Sequence, residues 1–173
     1  ATVEYRESIY VGYRYYDAVG QDVLYPFGHG LSYTTFAYSD LQLSQAQLTM
    51  PGSLTVSCTV VNTGAVAGQE IVQLYVRDVE STAFCPDREL KGFAKVHLEP
   101  AEKKRVSIEL DERAFAHYNV DLADWHVESG AFEILVGASS RDIRLKAAVE
   151  VKSRQPAAPP VDRSGLAAYY NPS

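Results

Sequence analysis

The strongest constraint in this sequence is a side-chain alternation of period two that returns seven or eight times between residues 36 and 151. Phe36, Tyr38, Leu41 and Leu43 form the first run, with a slip or bulge between its halves. Residues 54–61 alternate cleanly and end at Asn62-Thr63-Gly64, a turn signature. In residues 71–76, Val72, Leu74 and Val76 share one face, and a polar loop follows from 77 to 87. Residues 89–98 make another extended run, closed by Glu99-Pro100. Val106, Ile108 and Leu110 come next, then residues 111–116, which read as one helical turn. Trp125 and Val127 lead to a turn at Ser129-Gly130. Phe132, Ile134 and Val136, then Ile143, Leu145, Ala147, Val149 and Val151, complete the series.

Successive strand side chains point to opposite faces, so clean alternation means one face in a core and one in water. Short strands of this kind, separated by turns, predict an all-β fold: an antiparallel β-sandwich of the fibronectin type III or immunoglobulin-like type. There is no Cys…Trp…Cys spacing, which disfavours an antibody-type domain. On this reading Trp125 is a core residue, and Trp125→Ala costs about 3–5 kcal/mol.

At 173 residues the chain fits one domain with arms. An apolar fraction of 46% against 22% charged residues excludes disorder throughout. The net charge of −6 argues against nucleic acid, whose binding needs a basic face. No apolar run approaches the roughly 18 residues of a membrane-spanning helix, so no membrane partner is expected. Residues 1–7 lack the basic and apolar regions of a signal peptide, and there is no initiator Met. The chain therefore reads as a piece cut at both sides. Cys58 lies on the inward face of a strand and Cys85 in a loop beside Pro86, a core hydrophobe and a loop thiol rather than a disulfide. Unpaired thiols and the absence of a glycosylation sequon favour a bacterial cytoplasm over secretion, although no compartment is set. His29, His97, His117 and His126 have no metal-site spacing, and neither a phosphate-binding Gly-rich loop nor a nucleophile elbow is present. No metal or other cofactor is expected.

The ends differ from the middle. Eight of the 12 tyrosines fall in the first 38 residues: Tyr5, Tyr10, Tyr13, Tyr15, Tyr16, Tyr25, Tyr33 and Tyr38. Tyrosine pairs an apolar body with a polar tip and favours half-wet contacts. Residues 1–35 thus read as an extended Tyr-rich N-terminal arm between domains, 36–151 as the sandwich, and 152–173 as a linker leading into a following segment. That linker holds Gln155-Pro156-Ala157-Ala158-Pro159-Pro160, a stiff Pro-rich spacer. The loop at 78–87 is long for a hairpin and sets Phe84 and Cys85 among polar residues. With the neighbouring Arg88, these are the candidate residues for contact with another domain.

Several motifs, in order, resemble one known family. Tyr5-Arg6-Glu7-Ser8-Ile9-Tyr10-Val11-Gly12-Tyr13-Arg14-Tyr15-Tyr16-Asp17 resembles the segment closing the α/β sandwich domain of family-three glycoside hydrolases. Pro26-Phe27-Gly28-His29-Gly30-Leu31-Ser32-Tyr33-Thr34-Thr35-Phe36 resembles the junction between that domain and a fibronectin type III-like module. The module's marks follow: Val61-Asn62-Thr63-Gly64, Val72-Gln73-Leu74-Tyr75-Val76, Arg88-Glu89-Leu90-Lys91-Gly92-Phe93, Trp125-His126-Val127-Glu128-Ser129-Gly130 and Val136-Gly137-Ala138-Ser139-Ser140-Arg141-Asp142-Ile143. Members are mostly retaining β-glucosidases that use two carboxylates about 5–5.5 Å apart. In the family the nucleophile lies in a separate barrel and the acid/base upstream of this segment, and neither motif occurs here. The resemblance implies an accessory module without catalytic or substrate-binding residues, inactive alone, whose partners are the α/β and barrel domains and which meets β-glucosides only through them. A Pro-rich tail running into Leu166-Ala167-Ala168-Tyr169-Tyr170 resembles the reversed-order bacterial enzymes, in which the barrel follows the module.

Two other function classes compete. A row of rings stacks on sugars, so Tyr10, Tyr13, Tyr15, Tyr16 and Phe27 also fit a carbohydrate-binding platform. An autonomous protein-interaction domain is the third class, since fold alone does not assign function. The preferred reading makes Tyr10, Tyr13, Tyr15, Tyr16, Phe27, His29 and Tyr33 interdomain packing residues. It demands that in this chain the strip lies exposed or folds back on the sandwich. The carboxylates Glu4, Glu7, Asp17, Glu99, Glu102, Asp111, Glu112, Asp121 and Asp124 are scattered through expected turns and read as solvated.

Overall fold

A computed structural model describes residue 3 and residues 8–83 and 85–156 of the chain. Phe84 and the tail 157–173, with most of the Pro-rich spacer and the Leu166–Tyr170 segment, lie outside the described residues. After a short helix, α1 (Tyr13–Ala18), the chain is built from strands β1 (Phe36–Leu43), β2 (Gln47–Thr49), β3 (Leu54–Asn62), β4 (Gly68–Asp78) and β5 (Glu89–Leu98). These are followed by β6 (Lys103–Leu110), β7 (His117–Asn119), β8 (Asp124–His126), β9 (Gly130–Gly137) and β10 (Ile143–Lys152). Three strands form one sheet in the order β1-β3-β6, and five form the other in the order β2-β10-β9-β4-β5. The strands β7 and β8 make a separate hairpin.

The core lies between the two sheets, where the alternation put it. Val56, Cys58 and Val60 of β3 meet Val72, Leu74 and Val76 of β4, Phe132, Ile134 and Val136 of β9, and Val149 and Val151 of β10. The first run does slip, with a register shift between Ser39 and Gln42 and Asp40 at φ 53°. The helical turn expected at 111–116 is a single 3-10 turn over Glu112–Ala114. Tyr38 of one sheet ties to the other at one end: its hydroxyl donates to Glu70 of β4 at 2.8 Å, and the Arg144 guanidinium of β10 lies 4.7 Å from its ring centroid.

The all-β sandwich stands as expected, and one residue placement needs correction. Beside the antiparallel pairs the short β2 pairs parallel with β10, Leu48 opposite Val151. A three-residue strand is too short to show alternation, and it crosses from the sheet of β1 to the other. Trp125 is not in the core: it is 38% exposed on β8, with the Arg113 guanidinium 3.3 Å from its ring centroid and Tyr118 edge-on at 5.6 Å. The inward position on that strand belongs to the buried His126. Trp125→Ala therefore removes a cation–π contact and leaves no cavity, at a cost of about 1–2 kcal/mol rather than 3–5.

Candidate functional site

The outer face of the five-stranded sheet is where the arm lies. Strand β4 breaks the rule of one dry face, for Gln73 and Tyr75, between the inward Val72, Leu74 and Val76, are also buried. Leu135 of β9, beside Tyr75 in the ladder, is buried as well. Tyr75 is 0% exposed, so something must cover it. The cover is residues 8–35.

The arm starts beside the loop between β4 and β5, where the Tyr10 hydroxyl donates to the carbonyl of Cys85 at 2.9 Å and the ring is buried. Gly12, at φ 59°, opens α1 in a conformation that suits glycine. Tyr13 then stacks on Phe27, with centroids 4.4 Å apart, and sets its edge against Tyr75. Its hydroxyl accepts the Leu90 N–H at 2.9 Å, on the edge strand β5. Arg14 pairs with Glu89 at 2.8 Å. At the far end of α1, Arg141 in the β9–β10 turn clamps three groups: the Asp17 carboxylate at 2.7 Å and the carbonyls of Tyr16 and Gln21.

Gln73 anchors the second half. Its amide donates to the carbonyls of Gly28 and Ala138 at 3.0 and 2.6 Å, and its oxygen accepts from the Tyr75 hydroxyl. A side chain at Gly28, which has φ +80°, would place its Cβ 2.0 Å from that amide oxygen. The Ser140 N–H donates to the Phe27 carbonyl at 2.9 Å. Finally Thr34 donates to the buried Asn62 at 2.6 Å, close against Gly64 and Gly68, and the chain enters β1. The turn motif Asn62-Thr63-Gly64 thus grips the arm where it joins the sheet.

The seven proposed packing residues separate into groups. Tyr13 and Phe27 are stacked on the sheet and Tyr10 is buried at the Cys85 loop, so the rings of Tyr10 and Tyr13 are spent on the protein itself. Tyr15 and Tyr16 pair edge-on with each other, and exposed His29 stacks on Tyr25. Tyr33 contributes no such contact and is 101% exposed; Leu31 is 92% exposed. In the candidate loop, Cys85 meets Tyr10, burial pushes its thiol up to about 11, and neither it nor Cys58 is in a disulfide. Arg88 pairs with Asp87 and donates to the Ser140 carbonyl at 3.1 Å, joining β5 to the turn beneath the arm. Sequence reasoning missed Gln73, Tyr75, Leu135, Glu89 and Arg141, the sheet's side of the contact. Of these only Leu135, an aliphatic residue at an outward strand position, departs from the alternation; Gln73, Tyr75, Glu89 and Arg141 look like ordinary surface residues in the sequence.

Burial also pushes the Asp78 carboxyl up to about 6, helped by the charge of Glu128. Among the described residues, no group of three His, Cys, Asp or Glu side chains is placed to hold a metal, and no helix is long and apolar enough to cross a membrane. Asp17 and Glu89 are held in ion pairs with Arg141 and Arg14. What the arrangement offers is a surface: a chain fixed at both ends, along α1 and at Phe27 and Gly28, with Leu24, Tyr25, Leu31 and Tyr33 turned to solvent.

Residues 70–140 match the family model described as a fibronectin type III-like domain. The chain is 56% identical over 151 residues to thermostable beta-glucosidase B of Acetivibrio thermocellus, covering 87% of this chain and 20% of that enzyme. It is 49% identical over 141 residues to an exo-alpha-(1->6)-L-arabinopyranosidase of Bifidobacterium breve, covering 82% of this chain and 18% of that one. Among solved structures, a family-three beta-glucosidase of Bifidobacterium adolescentis superposes with a TM-score of 0.82 at 42% identity, over 93% of this chain and 23% of that one. The Thermotoga neapolitana beta-glucosidase 3B, in complex with alpha-D-glucose, gives 0.78 at 44% identity, over 86% and 20%. The chain thus spans about a fifth of the length of these relatives.

Proposed function

The chain carries the fibronectin type III-like domain of family-three β-glucosidases, and from that premise we propose that it is a non-catalytic brace joining the parent's catalytic domains. Its partners are the α/β and barrel domains of the same enzyme. The parent reaction, hydrolysis of terminal β-D-glucosyl residues, uses carboxylates outside this chain. A relative named an exo-alpha-(1->6)-L-arabinopyranosidase is 49% identical over the matched 141 residues, which supports a choice of glycone made outside this module.

The observation that carries this reading is the pinned strap between Gln21 and Thr34. Arg141 holds one side of it and Asn62 the other, while Gln73 fixes its middle, yet Leu24, Leu31 and Tyr33 face water. A segment that costs ordering entropy on both sides and still exposes apolar side chains is shaped for a surface beyond itself. Burying those side chains against the α/β domain stabilises that domain at roughly 25 cal/mol per Å² removed from water. The chemical step is untouched.

The test is the complete enzyme with residues 41–151 removed. It should melt lower and lose activity through instability, while any surviving fraction turns over at the normal rate. Wild-type melting and full activity in that variant refute the reading.

A further inference from the structure

We propose that the β7–β8 hairpin is a second docking element, whose apolar tip seats in a basic-rimmed depression on the domain preceding residue 8 in the same polypeptide; the proposal rests on the bracing role above. The hairpin's strands belong to neither sheet of the sandwich, and its tip is apolar. Tyr118, Val120 and Leu122 project from it, Val120 79% and Leu122 49% exposed. Tyr118 packs edge-on against Trp125, but Val120 and Leu122 have no use in a solvated turn.

The tip is also held rigid. Asn119 is buried, and its side-chain oxygen accepts the N–H groups of Asp121 and Leu122, both at 3.0 Å. The strands pair His117 with His126, Tyr118 with Trp125 and Asn119 with Asp124. The Arg113 guanidinium on the Trp125 ring fixes the hairpin to the turn after β6. A preorganised apolar projection loses little conformational entropy on burial, which is the property of a docking anchor.

The occupant follows from where the chain runs. The arm begins at Tyr10 against Cys85, in the loop between β4 and β5. That same loop is tied by the Thr82 N–H to Glu128 at 2.9 Å, two residues past the hairpin. Gln155, near the last described residue, accepts the Val127 N–H and donates to the Trp125 carbonyl. Both ends of the described chain therefore lie at the end of the sandwich that bears the hairpin. Relatives carry about four-fifths of their length outside the matched region, and chain that joins residue 8 meets the sandwich at this end. Asp121 and Asp124 flank the apolar tip and are exposed, so the complementary surface is apolar with Lys or Arg at its rim.

The experiment uses the double variant Val120→Asp/Leu122→Asp, in the 173-residue chain and in the complete enzyme. In the chain alone the melting temperature should stay within about 1 °C of wild type, because exposed side chains contribute little. Emission from Trp125, the sole tryptophan, should not move either, which shows the hairpin intact. In the complete enzyme the transition should fall by on the order of 5 °C. An unchanged complete enzyme overturns the proposal. So does a chain that self-associates and becomes monomeric on substitution, which would assign the tip to a second copy. A drop of the same size in the isolated chain overturns it too, since the tip would then belong to the sandwich. If deleting residues 41–151 destabilises the enzyme and this variant does not, the bracing role stands and the hairpin's part in it falls.

Discussion

The two sheets of this sandwich share a core but have opposite outer faces. On the three-stranded sheet, Thr55 of β3 and Lys103, Arg105, Ser107 and Glu109 of β6 look outward into water. Arg105 bridges to Gln42 and Ser57, a polar surface contact at the sheet's own level. On the five-stranded sheet the matching positions are Gln73, Tyr75 and Leu135, all buried beneath the arm. Both faces belong to strands of the same sandwich, and the cover on one of them comes from the chain upstream of Phe36. One face ends the molecule, and the other is an interface made within it. A sandwich needs two faces to fold, and a third packed layer serves to fix something else in place.

The comparison breaks most sharply at Tyr75. Tyr75→Ala should cost about 3–5 kcal/mol, since the ring fills the space between β4, β9 and Tyr13 and its hydroxyl serves Gln73. Thr59→Ala, on the wet face, should stay within about 0.5 kcal/mol. Urea midpoints of the two variants measure both. If the two losses are equal, the arm is not a packed layer.

Legibility in the sequence follows the same division. The wet face and the core were readable because Leu54, Val56, Cys58 and Val60 alternate with Thr55, Ser57 and Thr59, and period two has one physical meaning. Residues 1–35 were readable from their tyrosines as a segment distinct from the sandwich. Its partner surface was not, because Gln73 and Tyr75 look like ordinary outward residues unless their burial is known. Arg141 is 124 positions from Asp17, and no local pattern reports a contact of that span. Trp125 failed for the opposite reason: its neighbour His126 took the inward place, and a bulky ring was assumed to be core. The hairpin tip had no periodic signal, with three apolar residues in a segment too short to show one.

A smaller effect separates the clamp from the bridge. Arg141 holds Asp17 and two carbonyls at one site, whereas Arg105 reaches two neutral side chains on the open face. Arg141 is itself about a third exposed, which screens part of its attraction. Arg141→Ala should therefore cost about 2 kcal/mol and free α1 to exchange its amides. Arg105→Ala should cost at most about 0.5 kcal/mol. Hydrogen exchange at Tyr16 and Asp17 reads the first directly. Unchanged protection there would mean that Tyr13 and the Arg14–Glu89 pair hold the helix down without Arg141.

The smallest effect concerns acids of opposite sign on the two sheets. Glu102, in the turn before β6, is held below the usual carboxylate range by the Glu99 N–H and then by Lys104. Asp78, at the end of β4, is pushed up to about 6 by burial and then by Glu128. A raised carboxyl stabilises the fold while protonated, fully below about pH 4, and that contribution is lost as pH rises through 6. A lowered one works the other way, adding stability at neutral pH that disappears only in acid. Asp78→Asn keeps an acceptor for the Glu80 N–H and removes the titration. Relative to wild type the variant should be equal at pH 4 and more stable by about 1 kcal/mol at pH 7.5. Glu102→Gln should match wild type's dependence between pH 5 and 7.5 and diverge only below it. Urea midpoints from pH 4 to 8 decide the matter. Parallel curves for wild type and Asp78→Asn would mean that Asp78 is solvated, and that the covered sheet ends before β4 does.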